Sequence, residues 1–383
     1  MHTTSIGVLG WELTESPAYL GLLVFSQLGP MSLLSLVGGS LADTANRRVL
    51  LLSTQTWQMV WTLILAALVL DDVIDKNVLL LMVFVIGLGQ GIQAPVYTSI
   101  LPALVGRENI KAAVSLNSTQ VNSARVIGPA IGGFMVANFG FAEVFFINGI
   151  TYVIVLAAVW VTALPDAVAR RASLGDRLFG GFRVAWRARQ VGSPLLLMTL
   201  FVFFCLPFIG QLPAIAELNL GVDARSTQYG WFYAVFGAGG LTGALLVGTA
   251  LARVPIRPMI RFALVGFSLS LAVLASLRSL APALAVVYAV GVCYFMVPTS
   301  LATRWQEHVD ESIRGRVAAL WALSFGGTIP FANVIAGRII EWTSLSVVLY
   351  AGAVAALILG LTYRLVSGPV VGDEILITAP QDF

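Results

Sequence analysis

The sequence predicts an all-α membrane protein, and three observations predict it. Of 383 residues, 58% are hydrophobic and only 11% are charged, with a mean hydropathy of +0.89. Soluble domains carry about 25% charged residues, and so few polar side chains cannot cover a globular surface. The apolar residues fall in runs of roughly 20, the length a helix needs to cross a hydrocarbon core. Nowhere do they alternate with polar residues at period two, as a membrane β-barrel requires. A soluble enzyme and a secreted disulfide scaffold are excluded together. The net charge of +3 is too small to argue for a nucleic-acid partner. The two cysteines, Cys205 and Cys293, lie in apolar runs, and the two histidines are His2 and His308, so no metal or cofactor site is expected.

Taken in order, the chain opens on residues 3–14 (TTSIGVLGWELT), mildly apolar and about half a bilayer long. They carry no basic n-region or cleavage site and read as the second half of an incomplete first helix. Eleven full spans follow, over 17–42, 49–70, 78–105, 112–138, 143–164, 194–216, 226–249, 258–277, 281–303, 314–339 and 344–366. The breaks are charged or turn-like: Asp43 to Arg48, Asp71 to Asn77, Gly106 to Lys111 and Arg253 to Pro258. One longer polar interval, 165–193, reads as a linker. Within it Arg177, Arg183, Arg187 and Arg189 alternate with Leu178, Phe182 and Trp186, the pattern of a basic amphipathic helix lying on anionic lipid headgroups. The expected division is 1–164, a first bundle with a truncated first helix; 165–193, the linker; 194–366, a second bundle; and 367–383, a tail.

Orientation follows from the basic residues. Of the 22 Lys and Arg, Lys76, Arg225, Arg278 and Arg338 fall on one side and Arg125 lies inside a span, leaving seventeen on the other. That excess places the linker and tail in the cytoplasm and makes the chain a multi-pass protein of the plasma or inner membrane. A weak echo relates GRENIKAAVSLN (106–117) to DESIRGRVAALWAL (310–323), each a charged turn feeding a small-residue helix. Two parallel-repeated six-helix halves are one transporter architecture.

These segments resemble the major facilitator superfamily. GGSLADTANRRVLLL (38–52) is similar to its cytoplasmic signature, with Gly39, Asp43, Arg47 and Arg48 in register and Thr44 and Asn46 departing from it. The resemblance implies a gate latch at these four residues; simple positive-inside anchoring is the alternative. SARVIGPAIGGFM (123–135) resembles the antiporter signature through Gly128, Pro129, Gly132 and Gly133, with Ser115 and Ala124 replacing upstream glycines. This implies a hinge of drug:H⁺ exporters, although a close-packed helix crossing would use the same glycines. With GWELTESP and the DESIRGRVAAL turn, the branch looks like the siderophore (enterobactin) and macrolide exporters. The resemblance implies the major facilitator fold, two six-helix bundles.

Candidate working residues are polar groups in apolar spans. Arg125 lies near mid-bilayer, where a charge is expensive and faces a cavity or partner; it serves either substrate and proton control or a fixed structural bond. Gln90, Gln93 and Tyr97 follow i, i+3, i+7 spacing on one face, with Asn117 and Gln120 on the next span. In the second half the candidates are Gln211, Tyr233, Tyr294, Trp321 and Asn333. As a set they suggest an amphipathic pocket, and singly each suits an interhelical hydrogen bond. Many proton-coupled relatives carry an arginine three residues before a Gln-Gly pair; here Gly87 precedes Gln90 and Gly91. No acid lies deep in a span, so the proton-coupling candidates are Glu12, Glu143 and Asp43. No G-x-x-x-x-G-K-[ST] loop occurs, which argues against direct ATP drive. The expectation is a monomeric secondary exporter of small amphipathic organic compounds by alternating access and H⁺ antiport, in contact with membrane lipids. A lipid or lysophospholipid flippase, or a non-transporting membrane protein, are the alternatives.

Overall fold

A computed structural model of the chain describes residues 1–105, 109–164, 182–310, 313–366, 368 and 370–372; for some residues, chiefly in the second, fourth and fifth helices, only the backbone is described. The long helices follow in order: α1 (His2–Thr14), α2 (Pro17–Thr44), α3 (Arg47–Leu70), α4 (Lys76–Leu104), α5 (Ile110–Asn138), α6 (Phe141–Val161), α7 (Arg189–Cys205), α8 (Thr227–Gly248), α9 (Ile256–Ser276), α10 (Leu280–Glu307), α11 (Arg314–Ala322, resumed as Thr328–Trp342) and α12 (Leu345–Thr362). Residues 182–187 form a further helical turn before α7. The expected breaks before α3, α4 and α9 are real turns, and residues 106–108 of the break before α5 lie outside the described residues. Asn46 accepts from the Arg48 and Val49 amides to start α3, and Asp75 accepts from Asn77 and Val78 to start α4. Ser226 and Ser344 cap α8 and α12 in the same way. Between α1 and α2, Glu15 adopts a left-handed φ of 47° and its amide closes on the Trp11 carbonyl, after which Pro17 opens the next helix.

Two expected spans are interrupted. The run 194–216 holds a helix only to Cys205, then continues as Pro207–Gly210, Leu212–Ala214 and a wider π turn, Ile215–Asn219. Pro207 and Pro213 have no amide hydrogen to carry the ladder onward, so hydropathy is continuous where the helix is not. Helix α7 also starts at Arg189, inside the interval expected to be linker, because polar residues such as Arg and Gln are good helix formers that a hydropathy scan passes over. In the run 314–339 a π segment, Leu323–Gly327, separates the two parts of α11 at a Gly-Gly pair.

The packing has a simple rule. Helix α2 lies on α4, and α3 on α4 and α6; likewise α8 lies on α10, and α9 on α10 and α12. The halves meet along two seams, α2 with α11 and α5 with α8. Advancing every helix number by six, counted cyclically, converts each pairing into another on this roll. That is the pseudo-twofold of two related bundles. Single bonds obey it too. Arg48, at the start of α3, donates to the Thr162 carbonyl beyond α6 (2.6 Å), and Arg257, at the start of α9, donates to the Leu365 carbonyl beyond α12 (2.7 Å).

The two interiors differ in chemistry. The second bundle is filled by aromatic rings gathered round Tyr294, which lies 4.7–6.3 Å centroid to centroid from Phe201, Phe208, Phe236, Phe267 and Phe295. Such offset and edge contacts add to the burial of each ring. A smaller apolar core joins Val184, Ala188 and Val191 at the start of α7 to Trp305, Val309, Ile313 and Val371. Val371 pairs with Val309 in a short parallel bridge, its amide donating to the His308 carbonyl at 2.9 Å. The chain after α12 is thereby stitched to the α10–α11 turn. Of the 165–193 interval, 165–181 lies outside the described residues; at 182–187 Phe182, Arg183, Trp186 and Arg187 are exposed while Val184 is buried, which is an amphipathic face.

Candidate functional site

The polar residues of α4 do not share one destination. Gln93 accepts from the Gln58 side-chain amide of α3 at 2.6 Å, so it turns toward the first bundle's interior. One turn on, the Tyr97 hydroxyl donates to Asn117 Oδ1 of α5 at 3.2 Å. Tyr97 remains 44% exposed although it lies well inside a helix of membrane-spanning length. Gln120, one turn after Asn117, is exposed, and Gln90 and Asn117 are half-buried. Two exposed side chains, Tyr97 and Gln120, with the half-buried Asn117 between them, form a surface able to hydrogen-bond a polar ligand. The Arg125 side chain, on the same helix as Asn117 and Gln120, lies outside the described residues.

Behind this surface stands a polar stripe that the sequence reading omitted. Thr54, Gln55, Gln58 and Thr62 of α3 are each at most 6% exposed. Gln58 bonds Gln93, its own helix at the Thr54 carbonyl (3.3 Å) and, more weakly, the Tyr152 hydroxyl of α6 (3.4 Å). In lipid an unsatisfied amide is costly, so each of these bonds orients its partner. The signal was present: Thr54, Gln58 and Thr62 recur at i, i+4, i+8, one helical face.

The second-half candidates divide three ways. Tyr294 is 3% exposed at the hub of the aromatic core. Tyr233 is half-buried beside Tyr229, and Trp321 lies against Trp305. Gln211 and Asn333 come together at the seam with α2. Gln211 donates to the Pro17 carbonyl at 3.0 Å, a Cβ on Gly21 would strike the Asn333 carbonyl, and one on Gly210 would strike Asn333 Oδ1. Both amides are buried, and Gln211 Oε1 and Asn333 Oδ1 have no partner there. They form a tight polar joint between the halves.

The other joints lie at the same end of the bundle, where α1 stops and α2 starts. Glu12 pairs with Arg225 of the α7–α8 connection at 3.4 Å, and the Arg225 guanidinium lies 5.4 Å from the Phe141 ring centroid. The Ser16 hydroxyl donates to Glu341 at 2.5 Å, and Arg338 pairs with the other oxygen of that carboxylate at 3.4 Å. Glu143 is exposed in the first turn of α6, where a negative charge meets the helix dipole favourably. The antiporter-like glycines are contact points. A Cβ on Gly133 would collide with Gly230 of α8, one on Gly132 would lie 2.9 Å from Met1 Cα, and one on Gly128 3.2 Å from the Met1 nitrogen. Gly39 lies in the stretch of α2 of which only the backbone is described, as does Asp43; Arg47 is buried, and Arg48 makes the bond to Thr162 given above.

Three comparisons bear on this arrangement. A family model described as "Transmembrane secretion effector" matches residues 1–378. The chain is 30% identical over 334 residues to the enterobactin exporter EntS of Escherichia coli O1:K1 / APEC, spanning 83% of this chain and 77% of that protein. It is 25% identical over 341 residues to the staphyloferrin A transporter of Staphylococcus aureus (strain NCTC 8325 / PS 47), spanning 86% and 83%. Among solved structures the nucleoside transporter NupG superposes with a TM-score of 0.70 at 13% identity, covering 94% of both chains. The xylose transporter XylE of E. coli gives 0.68 at 13% identity, covering 94% of this chain and 91% of that one. Paired bundles, pseudo-twofold seams and a whole-chain family match agree: the chain belongs to the major facilitator superfamily, within its transmembrane secretion effector family, and is a multi-pass membrane transporter of small organic compounds.

Proposed function

We propose that the protein is a secondary active exporter that carries a siderophore or a similarly amphipathic drug-like compound outward by alternating access, coupled to protons. One observation carries this reading: the described side-chain bonds between the halves, Glu12–Arg225, Ser16–Glu341 and Gln211–Pro17, all sit at one end of the two seams. Bundles related by a pseudo-twofold are built to rock, and the described bonds between them mark a gate at this end. The abundance of arginine at the opposite end makes the joined end the outer one, so these residues form the outer gate, and the linker and tail are cytoplasmic. Tyr97, Asn117 and Gln120, with Gln90, Gln93 and Arg125, offer hydrogen bonds to the polar part of the cargo, while Tyr233 and Trp321 offer apolar surface. Protonating Glu12 removes the charge that holds Arg225, which couples an external proton to release of the gate. Glu143 and Asp43 are further candidate carriers, and Gly39, Asp43, Arg47 and Arg48 form the inner latch. The antiporter-like segment Gly128, Pro129, Gly132 and Gly133 gives the hinge.

The test is accumulation of a radiolabelled catecholate or hydroxycarboxylate siderophore in everted membrane vesicles. Protein-dependent uptake abolished by a protonophore is the expected result. Uptake unchanged after the proton gradient collapses refutes antiport, and no protein-dependent uptake of siderophores or amphipathic dyes refutes export.

A further inference from the structure

Away from the seams, a groove of about 680 Å³ opens between α9 and α12 at the bundle end opposite the joined one. Arg257, Arg261 and Arg364 line it, together with apolar side chains such as Phe262, Val265 and Leu359, and no carboxylate is among its described lining residues. The first two arginines are anchored on backbone: Arg257 donates to the Leu365 carbonyl at 2.7 Å, and Arg261 donates through Nε to the Gly360 carbonyl at 3.1 Å. For Arg261, a carbonyl partner orients the guanidinium without cancelling its charge. Helix α9 begins here with no side-chain cap and no acid in its first turn, so its positive pole adds to the arginines. Phe262 is 67% exposed. A hollow along α3, the pseudo-twofold counterpart of α9, has no arginine among its described lining residues, which are Val49, Leu52, Ser53, Thr56, Trp57, Val60 and Trp61.

We propose that the α9–α12 groove binds an anionic phospholipid, with Arg261 and Arg364 on the headgroup phosphate and an acyl chain along Phe262 and Val265. The volume is that of a small-molecule site, and planar guanidinium forks match phosphate oxygens better than ammonium groups do. Placing the site in the inner leaflet rests on the orientation proposed above; the binding itself does not, because lipids in a mixed micelle reach both ends of the protein.

Native mass spectrometry of the purified full chain, released from detergent micelles containing equal phosphatidylglycerol and phosphatidylcholine, tests it. The expected spectrum shows at least one phosphatidylglycerol retained about fivefold over phosphatidylcholine, with the preference falling to about unity in R261Q/R364Q. The charge reversal R364E, at an exposed residue past the helix end, keeps the test open should the double variant not insert, and it is expected to at least halve the preference. Equal retention of the two lipids, or an unchanged preference in a folded variant, overturns the proposal. Complete displacement of phosphatidylglycerol by inorganic phosphate at equal concentration also overturns it, since the groove would then be a free-anion site. Failed siderophore transport with the lipid preference intact would strike the export reading and leave this one standing.

Discussion

Arg225 is 50% exposed and its partner Glu12 46%, so their ion pair is worth about 0–1 kcal/mol. That is the right size for a gate element, because a coupling of about 1 kcal/mol shifts a two-state population about fivefold without locking it. R225A is therefore expected to raise labelling of a cysteine placed at Ser16 by up to about fivefold, measured with a membrane-impermeant maleimide; unchanged labelling counts against a gating role. E12Q is expected to reproduce that effect and to flatten the pH dependence of transport, since glutamine imitates the protonated acid at every pH. A pH profile identical to that of the unaltered protein removes Glu12 as the proton carrier. Gln58 is a different kind of residue. Q58L strands the Gln93 carbonyl in an apolar interior and is expected to cost about 0.6–2 kcal/mol, read as a lowered melting temperature in detergent. A melting point equal to or above that of the unaltered protein would mean that the α3 stripe is dispensable to folding.

At the scale of the helix, proline and small-residue chemistry decide what hydropathy cannot. The expected boundaries of α3, α4, α8 and α9 agree with the structure to within a few residues, since Asn46, Asp75 and Ser226 cap the starts of α3, α4 and α8, Pro255 precedes the start of α9, and Asp71–Asp72 ends α3. The break after Cys205 was also announced, by Pro207 and Pro213, but an unbroken apolar run conceals it. The α3 stripe is hidden in the sequence because its four polar residues are diluted among leucines and tryptophans, whereas those of α4 and α5 fall in longer polar strings. Gln90, Gln93 and Tyr97 were legible as one face, yet where each points depends on which neighbour is nearer, α3 or α5, and no single sequence encodes that distance. Tyr294 was legible as a polar-capable residue and not as the centre of a ring cluster, because its neighbours come from four other segments. P207A removes the block to the ladder and is expected to raise α7 helicity while slowing transport severalfold; single-helix circular dichroism of the corresponding peptide in micelles and vesicle uptake measure the two effects. Unaltered uptake would make the break incidental to movement.

For the whole molecule, the pseudo-twofold makes one demand: what happens along α2–α11 happens in mirror role along α5–α8. G133L places a branched side chain against Gly230, and G21L places one against the Asn333 carbonyl. Both are expected to cut uptake at least tenfold while leaving membrane insertion, measured by immunoblot of the membrane fraction, unaffected. Full activity in either would mean that the seam opens wider than its packing indicates. The two-bundle plan was legible from the 106–117 and 310–323 echo, whereas the seams themselves were not, because a glycine reads the same whether it serves a turn, a hinge or a contact. At both crossings, then, bare main chain rides on main chain: Gly133 on Gly230, and Gly21 and Gly337 on the opposing strand of peptide carbonyls. Surfaces without interlocking knobs can roll over one another with little resistance, so the protein resembles a pair of smooth bearings, and evolution of faster turnover would polish these four positions before it touched the cargo.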